Sequence, residues 1–211
     1  MSLWYERFRL SDKPDLRILT EEVRKRAWIG SKHWKARLQR IPDNMIYKAT
    51  IKDYIDNMPD NEAQGKGLLL YGTLGGGKTS VATILLRNAL ARGARVLSIR
   101  FTDMVDYLLE KYQRSLPNGA PLEEGLRNVN YLLIDDMEID DATWRERKFE
   151  AILRHRDAEG LPTIISTNMT KKQIFDNDWL KSLLSNKERY MGVRIDGINW
   201  RSDPPSAPGD K

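Results

Sequence analysis

Gly72-Thr73-Leu74-Gly75-Gly76-Gly77-Lys78-Thr79 decides how the rest of the chain is read. The stretch follows the apolar run Leu68-Leu69-Leu70-Tyr71 and leads into a helical pattern from Ser80 to Arg92. It is therefore G-x-x-x-x-G-K-T set between a strand and a helix, the context in which that spacing has a mechanism. Glycines let the backbone curl until successive N–H groups face one phosphate, and the helix N-terminus adds positive potential. Lys78 brings a point charge to the β- and γ-phosphates, and Thr79 brings a hydroxyl to Mg²⁺. A glycine-rich turn before an ordinary helix would need neither the Lys-Thr pair nor the preceding strand. Gly72, Thr73, Leu74, Gly75, Gly76, Gly77, Lys78, Thr79 and Ser80 are accordingly the candidate contacts to ATP, with Mg²⁺ on Thr79.

Composition bounds the rest. A chain of 211 residues accommodates one α/β domain and an extension. There is no cysteine, which excludes thiol chemistry and zinc–thiolate sites and fits a reducing compartment. No apolar run approaches membrane-spanning length, and the start Met1-Ser2-Leu3-Trp4-Tyr5-Glu6-Arg7 lacks the apolar core of a signal peptide. The expected location is the cytoplasm, with no membrane partner. Net charge is +5, but residues 1–40 hold 11 Lys/Arg and 5 Asp/Glu, so +6 sits there and −1 on the remainder. Such asymmetry points to an acidic partner for the N-terminal part, or to a solvated basic helix.

Residues 1–40 read as an aromatic and basic extension, in which Trp4, Trp28 and Trp34 alternate with cations such as Arg24, Lys25, Arg26 and Lys35. The spacing predicts helix from Glu21 to Arg40, interrupted near Gly30-Ser31. Tryptophans among cations can stack on bases, anchor a protein interface, or pack on the main domain; the sequence leaves all three open. A further short helix is expected with Thr50 as its cap and Ile51 and Ile55 on one face, followed by a polar loop from Pro59 to Gly67. The domain boundary falls between about residues 40 and 60.

Beyond the glycine-rich loop, Val81, Ile84, Leu85, Leu86, Ala89 and Leu90 make a helix apolar around much of its circumference, ending at Arg92-Gly93. Arg95 to Phe101 reads as a strand, and Met104, Val105, Leu108 and Leu109 as a helix. Ser115 to Pro121 is a loop. Tyr131-Leu132-Leu133-Ile134-Asp135-Asp136 is the second chemical landmark, a buried strand with carboxylates at its C-terminal end, the edge where open α/β sheets carry their sites. Asp135 would hold the Mg²⁺ and its water, and Asp136 would polarise an attacking water. A helix opening at Asp141-Ala142-Thr143 closes at Glu159-Gly160. Pro162 to Asn168 is then a strand with a polar end, where Asn168 either reaches the γ-phosphate or the attacking water or merely starts a turn. Lys171 to Tyr190 is helical and basic, Val193 to Gly197 a final short strand, and the proline-containing tail from residue 202 is expected to be disordered.

A strand between the phosphate-loop strand and the acidic strand, with Asn on the next, resembles the AAA+ ATPases, and within them the DnaC/DnaI/IstB group of helicase loaders and transposition helpers. The resemblance is carried by Ile41-Pro42 with Ala49-Thr50-Ile51, by Gly67 to Thr79, and by Leu132 to Asp136. Gly160-Leu161-Pro162-Thr163-Ile164-Ile165-Ser166-Thr167-Asn168 and the closing Gly197-Ile198-Asn199-Trp200-Arg201 are more specific than the glycine-rich loop. It implies a P-loop NTPase of three α/β/α layers with a parallel five-stranded sheet. That is an AAA+ domain over residues 41–201, its lid absent or minimal, with a small helical N-terminal extension.

The resemblance also implies roles. Asn168 takes the position called sensor 1, and an arginine finger from the next subunit completes the site. Leu184-Ser185-Asn186-Lys187-Glu188-Arg189-Tyr190 is shorter than the family pattern there. Arg189 is the first candidate and Lys187 the second, a poorer one because an ammonium cannot bind bidentately. Asp136 stands where AAA+ enzymes usually carry Glu, one methylene longer, which is compatible with slow hydrolysis. The implied activity is ATP-dependent loading of a hexameric replicative DNA helicase onto single-stranded DNA by a homo-oligomeric ring or filament. Residues 1–40 would grip the helicase, and Lys111 and Arg114 are candidate DNA contacts. A transposase helper selecting double-stranded DNA and a non-hydrolysing nucleotide-dependent clamp are the alternatives.

Overall fold

The computed structural model describes residues 10–109, 122–138 and 143–196. Five strands among them form one parallel sheet: β1 (Gly67–Tyr71), β2 (Val96–Arg100), β3 (Tyr131–Met137), β4 (Thr163–Thr167) and β5 (Tyr190–Arg194). Their order is β2-β3-β4-β1-β5. Parallel strands need crossovers, and the crossovers cover both faces of the sheet with helices, so the strands read as continuous apolar runs. Leu68, Leu70, Leu132, Leu133, Ile134, Ile164 and Ile165 are fully buried. In the sheet β4 stands between β1 and β3 and so separates the phosphate-loop strand from the acidic one.

The helices are α1 (Glu21–Arg26), α2 (Ser31–Trp34), α3 (Ile46–Asp56), α4 (Met58–Ala63) and α5 (Lys78–Ala91), then α6 (Phe101–Leu109) and α7 (Leu122–Asn128). They continue with α8 (Thr143–Ala158), α9 (Lys171–Asp176) and α10 (Asp178–Leu184). Successive strand residues point to opposite faces, so Leu68 and Leu70 join one core and Leu69 the other. The first core holds α3, α5 and the N-terminal segment, through Ile51, Tyr54, Leu85, Leu86, Leu10, Ile29 and Ile41. The second holds α6 to α10, through Met104, Leu126, Phe149, Ile152, Ile174 and Leu180.

α5 is apolar nearly all round because it is covered twice. The sheet takes one side, and residues 10–41 take the other, with Leu10, Ala27, Ile29 and Ile41 each at most 3% exposed. Ala27 also accepts the Ser98 N–H at 2.9 Å, tying this segment to β2. Of the three uses open to the tryptophans, Trp28 and Trp34 show packing: Trp28 meets Tyr107 edge-on at 5.9 Å, and the Arg87 guanidinium lies 4.9 Å from the Trp34 ring centre.

Several boundaries differ from the sequence reading. The helix expected to start at Thr50 starts at Ile46, with Thr50 inside it, because a turn at Asp43 and Asn44, closed by the Met45 N–H donating to the Pro42 carbonyl at 3.1 Å, already sets the chain's entry. The loop expected from Pro59 to Gly67 begins with α4; proline in the first turn lacks only an N–H that would have no partner there. The long helix after Lys171 breaks at Asn177, whose side chain caps α10 by accepting the Leu180 N–H. β5 begins at Tyr190 rather than Val193, because its register with β1 pairs Gly67 with Tyr190. The loop around Ser115 to Pro121, Lys111, Arg114, Asp141 and Ala142, residues 197–201 and the tail from 202 lie outside the described residues.

One buried cation fixes the far end of the sheet. Arg156 on α8 is wholly buried and, among the described residues, has no carboxylate as a hydrogen-bond partner. Its guanidinium donates to the Thr163 hydroxyl at 2.9 Å and to the carbonyls of Leu126, Val129 and Pro162 at 3.1, 3.0 and 2.7 Å. Burial pushes its pKa down to about 9, still well above neutrality, so the side chain is charged at pH 7. It joins the end of α7 and the start of β4 by donating to carbonyls of both, including the Pro162 carbonyl that also accepts the Leu132 N–H at 3.4 Å.

Candidate functional site

β1 delivers the chain to the loop at the C-terminal edge of the sheet, and α5 starts from it at Lys78. Gly77 caps α5 at φ +94°, a left-handed conformation that a side chain would oppose. Lys78, only 7% exposed, folds back over the loop and donates from Nζ to the carbonyls of Gly72 and Thr73 at 2.9 and 2.8 Å. Its ammonium thus stands over the curled backbone, where a phosphate chain cradled by the loop would pass.

β3 brings the carboxylates to the same edge. Asp135 Oδ1 accepts from Thr79 Oγ1 at 3.1 Å and from the Ser166 hydroxyl. Asp136 N–H donates to Ser166 Oγ at 3.0 Å, and Asn168 Nδ2 donates to Asp136 Oδ1 at 2.9 Å. In a regular strand Asp135 and Asp136 would point to opposite faces. Here the register of β3 with β4 breaks between Ile134 and Met137, and Asp136 takes φ +56°. This bulge turns the Asp135 carboxylate toward Ser166 on β4 and the Asp136 carboxylate toward Asn168 just past it, and Asp is among the few residues that tolerate the left-handed region. Thr167 secures the irregular stretch by donating to the Met137 carbonyl at 2.6 Å. Thr79 and Asp135 supply two hard oxygens side by side, which fits Mg²⁺, an ion that takes one or two protein oxygens and completes its shell with phosphate and water.

The structure therefore gathers Lys78, Thr79, Asp135, Asp136 and Asn168 at one sheet edge. Arg189 and Lys187 lie at the other. Arg189 accepts the Gly67 N–H through its carbonyl at 2.7 Å, and its guanidinium donates to the Gln64 carbonyl at 3.0 Å, with Asp157 at 3.5 Å. Along β1 the loop begins about 16 Å away, at 3.3 Å per residue. Within its own chain Arg189 does not approach the loop. Lys187 is exposed.

Sequence reading missed four residues that belong to this neighbourhood. Ser166 links the Asp135 carboxylate to the Asp136 backbone N–H, and the period-two rule could have found it, two positions before Asn168. Asp196, just past β5, accepts the Thr73 N–H at 3.1 Å and pairs with Arg194. Lys171 lies 5.3 Å from the Tyr71 ring centre, beside a cleft of about 460 Å³ shared by Thr73, Asn168 and Arg194. His33 Nδ1 lies 3.1 Å from Ser80 Oγ.

The strand order, the loop between β1 and α5, the carboxylates on β3 and the Asn after β4 define a P-loop NTPase fold of the AAA+ type. Neither a family model nor a curated protein matches the sequence. Among solved structures the chain is similar in fold to DnaI, with a TM-score of 0.66 and 19% identity over 83% of this chain and 98% of that one. It is similar to the DnaC helicase loader, with a TM-score of 0.61 and 22% identity over 79% of this chain and 100% of that one. It also resembles the replication initiator DnaA bound to AMPPCP and single-stranded DNA, with a TM-score of 0.62 and 20% identity over 78% of this chain and 51% of that one. The fold is thus the one shared by DnaC- and DnaI-like proteins. No helix among the described residues is long and apolar enough to cross a membrane.

Proposed function

We propose that the protein is an ATP-dependent loader of a hexameric replicative helicase, working as a homo-oligomer on single-stranded DNA. The observation that carries this reading is the run of hydrogen bonds from Thr79 through Asp135, Ser166 and Asp136 to Asn168 beside the Lys78 loop. Gly72 to Ser80 hold the triphosphate, and Thr79 and Asp135 hold Mg²⁺. Asp136 polarises the attacking water, and Asn168 directs it against the γ-phosphate. Arg189 serves the site of the next subunit, with Lys187 as the second candidate; its distance from its own loop supports a role in trans. Residues 41–201 are the ATPase domain, and the basic residues 1–40 engage the partner. The likeness in fold to the DnaC helicase loader and to DnaI supports the choice of helicase as that partner.

The test is reconstitution. The chain is mixed with Mg²⁺-ATP, single-stranded DNA and the replicative helicase from the same source. The expected result is a complex on gel filtration and phosphate release, both lost in Lys78→Ala. Capture of a transposase in place of the helicase would move the reading to target selection. ATP binding without turnover would make the protein a clamp, and turnover unchanged in Lys78→Ala would remove the site assignment.

A further inference from the structure

Residues 10–40 run along α5 from one end to the other. At the C-terminal end, Ser11 N–H and Asp15 N–H donate to the carbonyls of Arg92 and Ala91 at 3.0 and 2.7 Å, filling acceptors that the helix leaves open. Further along, Arg87 stacks on Trp34 and donates to the Ala36 carbonyl at 2.7 Å. At the N-terminal end His33 Nδ1 stands 3.1 Å from Ser80 Oγ, and both residues are half-buried.

Ser80 is not an arbitrary contact point. Helix geometry leaves the first N–H groups of α5 facing out of its N-terminus. That of Val81 is already given to the Gly77 carbonyl at 2.9 Å, so Lys78, Thr79 and Ser80 carry the outward-facing set. Ser80 therefore presents its backbone N–H outward, as an anion would require, and its side chain to His33. It also follows directly on Thr79, whose hydroxyl is bound to Asp135.

We infer that His33 is a positioning residue of the nucleotide site, and that through Ser80 it makes ordering of the N-terminal segment and binding of a nucleoside triphosphate one linked equilibrium. The inference rests on the nucleotide-binding reading above. A phosphate chain on the outward N–H groups fixes the first turn of α5, and a fixed Ser80 gives His33 a defined partner, which holds α2 down. Linkage is reciprocal: whatever lifts residues 20–40 off α5 loosens the nucleotide by the same factor. A basic segment that meets a partner is thereby also in contact with the state of the loop.

The full chain is titrated with a fluorescent ATP analogue and Mg²⁺, while backbone hydrogen exchange is followed across residues 20–40. In the wild type, saturation with nucleotide is expected to slow exchange in that segment. His33→Ala should weaken nucleotide binding by about three- to tenfold, the range for one net hydrogen bond. It should also abolish the nucleotide-dependent protection when the site is saturated. His33→Asn keeps a short polar group near the Nδ1 position and should restore both, which a purely packing role would not. Ser80→Ala should match His33→Ala, and the double variant should be no worse than either. Nucleotide binding with no change in exchange over 20–40 would overturn the inference alone, as would full protection in His33→Ala. Failure of the wild type to bind nucleotide at all would overturn the nucleotide reading and this inference with it.

Discussion

Ser166→Ala removes one oxygen and two restraints. The hydroxyl donates to Asp135, a hydrogen bond to a charged group of about 1.5–3 kcal/mol, and accepts the Asp136 N–H, whose loss leaves a donor short of a partner at about 1–3 kcal/mol. Water can enter this open edge and replace part of both, so the expected loss is about 2–3 kcal/mol rather than the sum. In turnover that is roughly 30- to 160-fold. Stability should fall less than turnover. Asp136 holds φ +56°, a conformation that costs on the order of 1–3 kcal/mol, and releasing it returns some of that energy to the folded state. The assay is steady-state phosphate release, read as kcat and KM for ATP, beside urea unfolding of the same variant. The loss should appear in kcat with KM nearly unchanged, and Ser166→Thr, which keeps the hydroxyl, should recover most of it. A kcat within threefold of wild type would refute the role of Ser166. A loss confined to KM would show that it shapes the binding loop and not the reacting groups.

Two further outcomes follow from the far end of the sheet. Arg156→Met should lower unfolding free energy by about 3–5 kcal/mol, because it removes the side-chain donor from the carbonyls of Leu126, Val129 and Pro162; a loss under about 1 kcal/mol in urea titration would refute that account. Arg189→Ala mixed with a Lys78→Ala chain should restore turnover at shared sites formed by an intact loop and an intact finger, whereas Arg189→Ala alone should have little. If only Lys187→Ala behaves this way, the finger is Lys187.

How far the sequence could be read depended on whether a feature is periodic. The apolar runs ending at Tyr71, Asp136 and Asn168 are strands because buried parallel strands must be apolar throughout, and the glycine-rich motif fixed which helix follows. Arg156 was within reach too: Phe149, Ile152, Leu153 and Arg156 share one helical face, so the cation falls among buried neighbours. Sequence offers no such rule for the N-terminal segment. Trp28 and Trp34 among lysines and arginines fit base stacking, an interface or packing equally, and only the uncovered side of α5 decides. The bulge at Asp136 is likewise set by tertiary partners, Ser166 and Asn168, since nothing in Ile134-Asp135-Asp136-Met137 breaks the strand pattern.

The glycines of the loop carry a constraint beyond phosphate binding. A Cβ at Gly72 would lie 2.4 Å from the Ile195 carbonyl oxygen, and one at Gly76 2.8 Å from the same atom. Ile195 N–H in turn donates to the Tyr71 carbonyl at 2.7 Å, and Asp196 holds the Thr73 N–H. The chain just past β5 is thus keyed into the loop at Gly72, Thr73 and Gly76, and only glycine lets the two backbones come so close at Gly72 and Gly76. At its other end the same strand is preceded by Arg189, which is fastened to β1 through Gly67. One five-residue strand therefore joins the loop of a subunit to the residue proposed to serve its neighbour. β5, at the sheet edge, pairs in parallel with β1 over its whole length, so a displacement at the Arg189 end would be passed along that ladder toward the loop. Under the role proposed for Arg189, the loop and the finger of one protomer would lie at the two ends of one strand pair. That is the property an assembly needs if its subunits are to respond to each other's nucleotide.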